Sequence, residues 1–135
     1  MKWRFFLAWL LAIPIAIVNG AIREFGYRRF LAELPAHQLS AVSFILFFGL
    51  YVWLISQWLK MGSVREALRI GILWLILTIM FEFVFGHFVM GHAWKILLHD
   101  YDIVAGRVWI LVLIWIAVAP LAVFRLRERK MRQAA

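Results

Sequence analysis

The sequence predicts an all-α membrane protein, a bundle of four transmembrane helices formed by residues 1–135 as one domain. Hydrophobic residues make up 66% of the chain, and its mean hydropathy of +0.89 is far above that of soluble globular domains. Eight Trp and twelve Phe residues add aromatic rings, which favour membrane interfaces. Composition therefore indicates that lipid surrounds most of the chain.

Four apolar runs separate the charged residues and define the predicted helices. We place these helices at about residues 3–20, 36–60, 64–90 and 103–125. A helix of about 20 residues crosses the hydrocarbon core of a bilayer. Inside lipid the backbone must satisfy its own hydrogen bonds, which a helix does.

The first run has two interpretations. Lys2, Arg4 and the apolar residues after them fit a signal peptide that is later removed. Small residues recur at every fourth position, which is typical of a packed membrane helix. They are Ala8, Ala12, Ala16 and Gly20. We expect the first helix to be retained.

The distribution of Lys and Arg predicts the orientation. One side of the membrane would carry ten of them: Lys2, Arg4, Lys60, Arg65, Arg69, Arg125, Arg127, Arg129, Lys130 and Arg132. The other side would carry five: Arg23, Arg28, Arg29, Lys95 and Arg107. Short cytoplasmic segments are the richer in Lys and Arg, so we expect both termini in the cytoplasm and the 19–38 and 91–102 connections outside. Topology thus explains the net charge of +8 without a nucleic-acid partner.

Local signals mark the helix ends and the connections. Pro35 suits the first turn of the second helix, where its missing N–H has no partner to lose. Ser63 and Glu66 have the spacing of a capping box and predict a helix start at Val64. Asp100 or Asp102 would cap the fourth helix.

Both outer connections are expected to hold short helices at the membrane surface. The 21–34 segment mixes charged with apolar residues and is predicted to lie at the headgroups. In the 92–101 segment the apolar residues share one face of a helix, which favours a surface helix. They are Trp94, Leu97, Leu98 and Tyr101.

Glu82 is the sharpest polar signal, because it lies within the third apolar run. A carboxylate at this depth should face protein and have a partner. Arg107 is the first candidate partner and Arg23 the second. A structural ion pair and a role in handling a substrate, a proton or a metal are both open.

All four histidines map to the outer side of the predicted bundle, near Glu82. We therefore expect an outer polar pocket that binds a ligand. Its candidate residues are Asn19, Arg23, Glu24, His37, Glu82, His87, His92 and Arg107. If the protein is an enzyme, Glu82 or His87 is the candidate general acid or base.

The cofactor is left unknown by the sequence. Imidazole and carboxylate groups suit Zn, Fe or Mn, with His37, Glu82, His87 and His92 as candidate ligands. However, Glu82 and His87 are five residues apart and do not share a face of a regular helix. His37 and His87 would hold a b-type haem if they met at one depth. The chain has no cysteine, which excludes thiolate and disulfide chemistry.

Several short motifs in the outer half carry a resemblance. They are Asn19-Gly20, Arg23-Glu24, Pro35-Ala36-His37-Gln38, Phe81-Glu82-Phe83, Gly86-His87, Gly91-His92, Trp94, Asp100-Tyr101 and Gly106-Arg107. With these motifs the chain resembles a group of small bacterial inner-membrane proteins with four helices and no assigned function. The resemblance implies a bacterial inner membrane and no particular activity.

Four classes of function fit these observations. The first is a binding or accessory protein whose outer pocket takes a polar ligand, a lipid headgroup or a metal. The second is a membrane enzyme that acts at the outer surface through Glu82 or His87. The third is a small transporter, which at this length would need to be a homodimer, and the fourth is a structural subunit of a larger membrane complex. Besides such protein partners, the lipid bilayer is the expected partner.

Overall fold

The structure, a computed structural model, describes residues 2–89, 91–99 and 108–134, and within these ranges every regular element is helical. The elements are α1 (Lys2–Ile22), a first π-helical segment (Arg23–Tyr27), α2 (Arg28–Phe30), α3 (Glu33–Leu59), α4 (Val64–Val84), a second π-helical segment (Phe85–Val89), α5 (Trp94–His99) and α6 (Trp109–Ala134). Four stretches are long and apolar enough to cross a membrane: Trp3–Phe30, Glu33–Leu59, Val64–Val89 and Trp109–Gln133. The predicted fold class, an all-α protein with four transmembrane helices, is confirmed.

The first spanning helix continues past its predicted end at residue 20. α1 passes directly into the first π-helical segment and α2, so the chain stays helical to Phe30. No proline interrupts residues 15–34, and Glu24 and Arg28 form an i,i+4 ion pair at 3.9 Å that suits a helix. The outer connection predicted as a separate surface helix is therefore an extension of the first spanning helix.

The next two helices begin as their local signals predict. α3 starts at Glu33, with Pro35 in its first turn, where an N–H would have no helical partner. At the start of α4, Ser63 Oγ accepts a hydrogen bond from Glu66 N at 3.1 Å, while Gly62 N donates to Glu66 Oε1 at 3.1 Å. The capping box is confirmed.

The last helix ends later than predicted. α6 runs to Ala134, nine residues beyond the expected end at 125, because the basic run after Phe124 holds good helix formers without Gly or Pro. Glu128 and Arg132 pair along it at 2.9 Å. The predicted start at 103 and the predicted caps Asp100 and Asp102 lie outside the described residues.

α4 and α6 form the closest pair of helices in the bundle. A Cβ atom at Gly71 would overlap the backbone carbonyl of Ala117, so glycine lets the two backbones approach. α6 also packs on α3, and α3 packs on α1. Large side chains such as Trp74, Val52 and Ile70 fill the space between these helices.

The row of small residues on α1 is buried over only half its length. Ala8 and Ala12 lie in the core, as a packed helix face requires. Ala16 is exposed and Gly20 is half-buried. The expectation of one continuous packed face along α1 is therefore wrong at Ala16, which lines a cavity described below.

Aromatic N–H and O–H groups join α1 to its neighbours. Trp74 Nε1 donates to Phe5 O at 2.8 Å, and Trp9 Nε1 donates to Thr78 Oγ1 at 3.0 Å, both between α4 and α1. Tyr51 OH on α3 donates to Ala8 O at 2.7 Å. Since lipid offers no hydrogen-bond partners, these bonds fix how the helices meet.

At one end of the bundle, Arg4 of α1 and Arg127 of α6 donate hydrogen bonds to α3. Arg4 Nη1 donates to Trp58 O at 3.1 Å. Arg127 donates to Trp53 O at 2.7 Å and to Ser56 Oγ, and its guanidinium lies 4.1 Å from the centre of a Trp53 ring. We call this end, where α1 and α4 begin and α3 and α6 finish, the basic end, and the other the opposite end.

We expect Gly71→Ala to destabilise the bundle by about 3 kcal/mol, because the new methyl group must push α4 away from the α6 backbone. The matched control is Gly20→Ala on α1, where an added Cβ meets no atom within 4 Å. Unfolding by denaturant in mixed micelles measures both variants. Equal stability of the two variants would show that the α4–α6 approach does not depend on Gly71.

Candidate functional site

A cavity of about 380 Å³ lies between the four long helices in the half of the bundle toward the opposite end. Its lining comprises Trp9, Ala12, Ile13, Ala16, Ile17, Arg23, His37, Phe44, Phe48, Thr78, Phe81, Glu82, Phe85, Gly86, His92, Trp109 and Ile116. This volume falls within the roughly 300 to 1,000 Å³ that small-molecule sites occupy. Most of the lining is apolar, and a few polar groups stand among the apolar ones, as in typical ligand sites.

Four titratable side chains line this cavity, each from a different segment. Arg23 opens the first π-helical segment, His37 lies in the first turns of α3, Glu82 lies near the end of α4, and His92 follows the second π-helical segment. Glu82 and His92 are neighbours along the third spanning helix and the turn after it, so the packing of the bundle is what brings them to Arg23 and His37. All four residues belong to the set that the sequence proposes as a pocket.

Glu82 has a partner that the sequence did not indicate. Trp109, the first residue of α6, donates its indole N–H to Glu82 Oε2 at 2.8 Å. Arg107, the first predicted partner, lies outside the described residues, so that ion pair stays a prediction. Arg23, the second candidate, pairs with Glu24 at 3.2 Å, and Glu24 is not among the residues that line the cavity.

His37 is 7% exposed and is oriented by the backbone that leads into α6. Val108 N donates to His37 Nε2 at 3.3 Å. A nitrogen that accepts a hydrogen bond carries no proton, so this bond leaves the ring proton of His37 on Nδ1. His37 is therefore a hydrogen-bond donor through Nδ1.

Asn19 connects α1 to α3 beside the large cavity. Its Nδ2 donates to Ser40 O at 2.9 Å, and its Oδ1 accepts from Ser43 Oγ at 2.7 Å. A second cavity of about 140 Å³ lies here, with Asn19, Arg23 and His37 in its lining. Because Arg23 and His37 line both cavities, the two spaces are neighbours at the polar end of the site.

The turn after the second π-helical segment brings His92 to the cavity. Gly91 adopts a φ of +74°, which side chains other than glycine rarely tolerate. His92 N then donates to Gly86 O at 2.9 Å, so the chain folds back over the end of the π-helical segment. His92 and Gly86 consequently share the cavity wall.

His87 does not take part in the cavity. Its ring stacks on Trp94 with the centroids 3.7 Å apart, and Nδ1 donates to His92 O at 2.8 Å. This stack attaches α5 to the end of the third spanning helix, so Trp94 packs on protein rather than only on lipid. Of the other residues predicted on the α5 apolar face, Leu98 is exposed. Tyr101 lies outside the described ranges.

The position of His87 bears on the metal, haem and acid–base hypotheses. His37 and Glu82 line the cavity and His87 does not, so the two histidines of the haem hypothesis do not share this cavity. Of the two alternative acid–base candidates, Glu82 lines it. Within the described ranges, no group of three His, Asp or Glu side chains is arranged to hold a metal ion.

Comparisons of the chain with protein-family models, with curated proteins and with solved structures found no match. The resemblance to small bacterial inner-membrane proteins gains no support from them. The chain is a small helical membrane protein, and its own residues are the evidence for its function.

Sequence reasoning missed the aromatic walls of the cavity and the π-helical segments. Phe44 and Phe48 stack at 5.6 Å on α3, and Phe81 and Phe85 stack at 5.1 Å on the third spanning helix. Such residues look like ordinary lipid-facing positions in a membrane sequence. The role of Trp109 as a partner of Glu82 could have been predicted, because an indole N–H at a helix start is a suitable donor for an acid in the neighbouring helix.

We expect Glu82→Leu and Trp109→Phe to be coupled by about 1.5 to 3 kcal/mol, the range for hydrogen bonds to a charged group, because leucine removes the acceptor that Trp109 uses. A double-mutant cycle of unfolding in mixed micelles measures this coupling. Trp115→Phe is the matched control, because among the described residues Trp115 Nε1 is buried and has no hydrogen-bond partner. Additive effects of Glu82→Leu and Trp109→Phe would rule the bond out as a source of stability.

Proposed function

We propose that this multi-pass membrane protein binds a small ligand through the polar groups at one end of the large cavity. The observation that carries the proposal is the convergence of Arg23, His37, Glu82 and His92 on one space of about 380 Å³. Interiors that serve only stability are close-packed. A cavity of this size with several hydrogen-bonding groups is better explained by an occupant.

The chemistry of the polar end favours a ligand with oxygen atoms. Arg23 contributes a guanidinium and His37 contributes Nδ1–H, so both are donors. Glu82 contributes a carboxylate whose Oε2 is already engaged by Trp109. A polar ligand or a lipid headgroup with carbonyl, hydroxyl, carboxylate or phosphate oxygens would match these donors.

We further propose that the site faces the outside of a bacterial inner membrane, with both termini in the cytoplasm. The support is the distribution of Lys and Arg along the sequence, with ten in the segments predicted to be cytoplasmic and five in those predicted to be outside. Positive residues in short segments favour the cytoplasmic side. The cavity would then lie in the periplasmic half of the bundle.

A ligand should accompany the protein when it is extracted with its surrounding lipid. We expect mass spectrometry of protein excised by a styrene–maleic acid copolymer to show a small molecule at near one-to-one ratio. Arg23→Gln should lower that ratio at least tenfold, because the oxygen atoms of the ligand lose a guanidinium donor. Arg132→Gln removes a guanidinium at the basic end and should leave the ratio unchanged. A wild-type protein without such a molecule, or equal ratios in both variants, would contradict the proposed function.

Orientation is tested separately from binding. A reporter enzyme that folds only in the cytoplasm should be active when it is fused after Ala135, since the basic end would remain inside. A reporter enzyme that folds only outside the cytoplasm should be active when it is inserted between Leu31 and Ala32, where the backbone leaves the first spanning helix. The reverse pattern would move the cavity to the cytoplasmic half.

A further inference from the structure

We propose that the occupant of the cavity is an amphiphile dissolved in the bilayer, with an apolar tail and a compact head that carries oxygen acceptors. It reaches the cavity sideways, between α1 and α4, and not from water. This inference rests on the proposed function, because it specifies which class of molecule the same cavity binds.

The lining of the cavity has two parts that match a head and a tail. The polar side chains lie toward the opposite end of the bundle. The rest of the lining is mostly apolar and comes from all four long helices, with Trp9, Ile17, Phe48 and Ile116 as examples. A wholly polar solute would lose its hydration against these residues without gaining hydrogen bonds. A molecule with one polar end satisfies both parts.

Hydrogen bonds close the seam between α1 and α4 toward the basic end. Trp74 reaches the Phe5 carbonyl at 2.8 Å, and one turn further along Trp9 reaches Thr78 at 3.0 Å. The Trp9 ring also makes an edge contact with Phe81 at 5.9 Å. Trp9 and Thr78 both line the cavity, so this pair forms its floor.

Beyond that floor the seam is open to lipid. Ile13 and Ile17 follow Trp9 on the same face of α1, and Phe85 stands opposite on the third spanning helix; all three line the cavity. Ile17 is 65% exposed and Phe85 is 40% exposed. In a membrane-spanning segment such apolar residues contact lipid, so the apolar part of the cavity is continuous with the bilayer.

The length of the cavity and the small free-energy gain of a tail that leaves the bilayer define the ligand further. Trp9 and Ile17 are eight residues apart, which is about 12 Å along a helix and gives room for one extended tail. Lipid tails are as apolar as the cavity wall, so a tail gains little by leaving the bilayer. Selectivity must then come from the head, through hydrogen bonds from the donors Arg23 and His37.

Photolabelling tests this inference. The probe is a palmitic acid analogue with a diazirine in its tail, added to phosphatidylcholine vesicles that contain the full chain. We expect saturable labelling within residues 9–17 and 78–86. A tenfold excess of palmitic acid or of decyl-benzoquinone should reduce it at least fivefold, and the stronger competitor identifies the head chemistry. Hexadecane has no head and acetate has no tail, so neither should compete.

Two tryptophan variants test the sideways path. Ile17→Trp narrows the opening and should lower the saturable labelling at least fivefold. Val18→Trp is the matched control, because Val18 is as exposed on the same helix but is not among the lining residues. Circular dichroism and gel filtration check that both variants fold.

Three outcomes overturn the inference. The first is labelling that does not saturate, or that spreads over all lipid-facing residues. The second is competition by acetate equal to that by palmitic acid, which would indicate a ligand from water and leave the proposed function intact. The third is equal labelling of the two tryptophan variants. Failure of the proposed ligand binding itself would be recognised separately, because no small molecule would then be extracted with the protein.

Discussion

The described hydrogen bonds between the spanning helices follow from one physical constraint: lipid offers no hydrogen-bond partner to a polar group. Trp74 and Tyr51 satisfy their polar hydrogens on backbone carbonyls of α1. Asn19 satisfies both ends of its amide on Ser40 and Ser43 of α3. Each such bond has a defined direction and length, so it fixes the position of one helix against the next. Apolar contacts alone would not do so, because side chains pack against lipid almost as well as against protein.

The bundle is unevenly packed, and this unevenness creates the cavity. On one side Gly71 lets α4 approach the backbone of α6. On the other side α4 meets α1 through hydrogen bonds from the indoles of Trp9 and Trp74, which stand between the two helices. Above Trp9 the space between α1 and α4 stays open. The close contact and the cavity are two results of the same placement of α4.

Both π-helical segments lie at the end of the bundle that holds the polar groups. Arg23 begins the first segment, while Phe85 and Gly86 belong to the second. π-Helical turns are rare and often occur at functional sites. Here the second segment, together with the turn at Gly91, carries His92 to the cavity wall and leaves His87 stacked on Trp94. Local backbone geometry thus decides which of two histidines, five residues apart, faces the site.

The sequence by itself determined that lipid surrounds most of the chain, that four helices span the membrane, and that a capping box starts the third of them at Ser63. These features depend on composition, on helical periodicity and on contacts between residues a few positions apart. Only the tertiary structure decided that Trp109 donates to Glu82 and that His37 receives its hydrogen bond from Val108, more than 25 residues away in each case. The tertiary structure also decided where the helices leave a space, because a cavity depends on how far apart whole helices lie. In a membrane sequence, an aromatic residue that lines a cavity and one that faces lipid look the same, since both positions select apolar side chains.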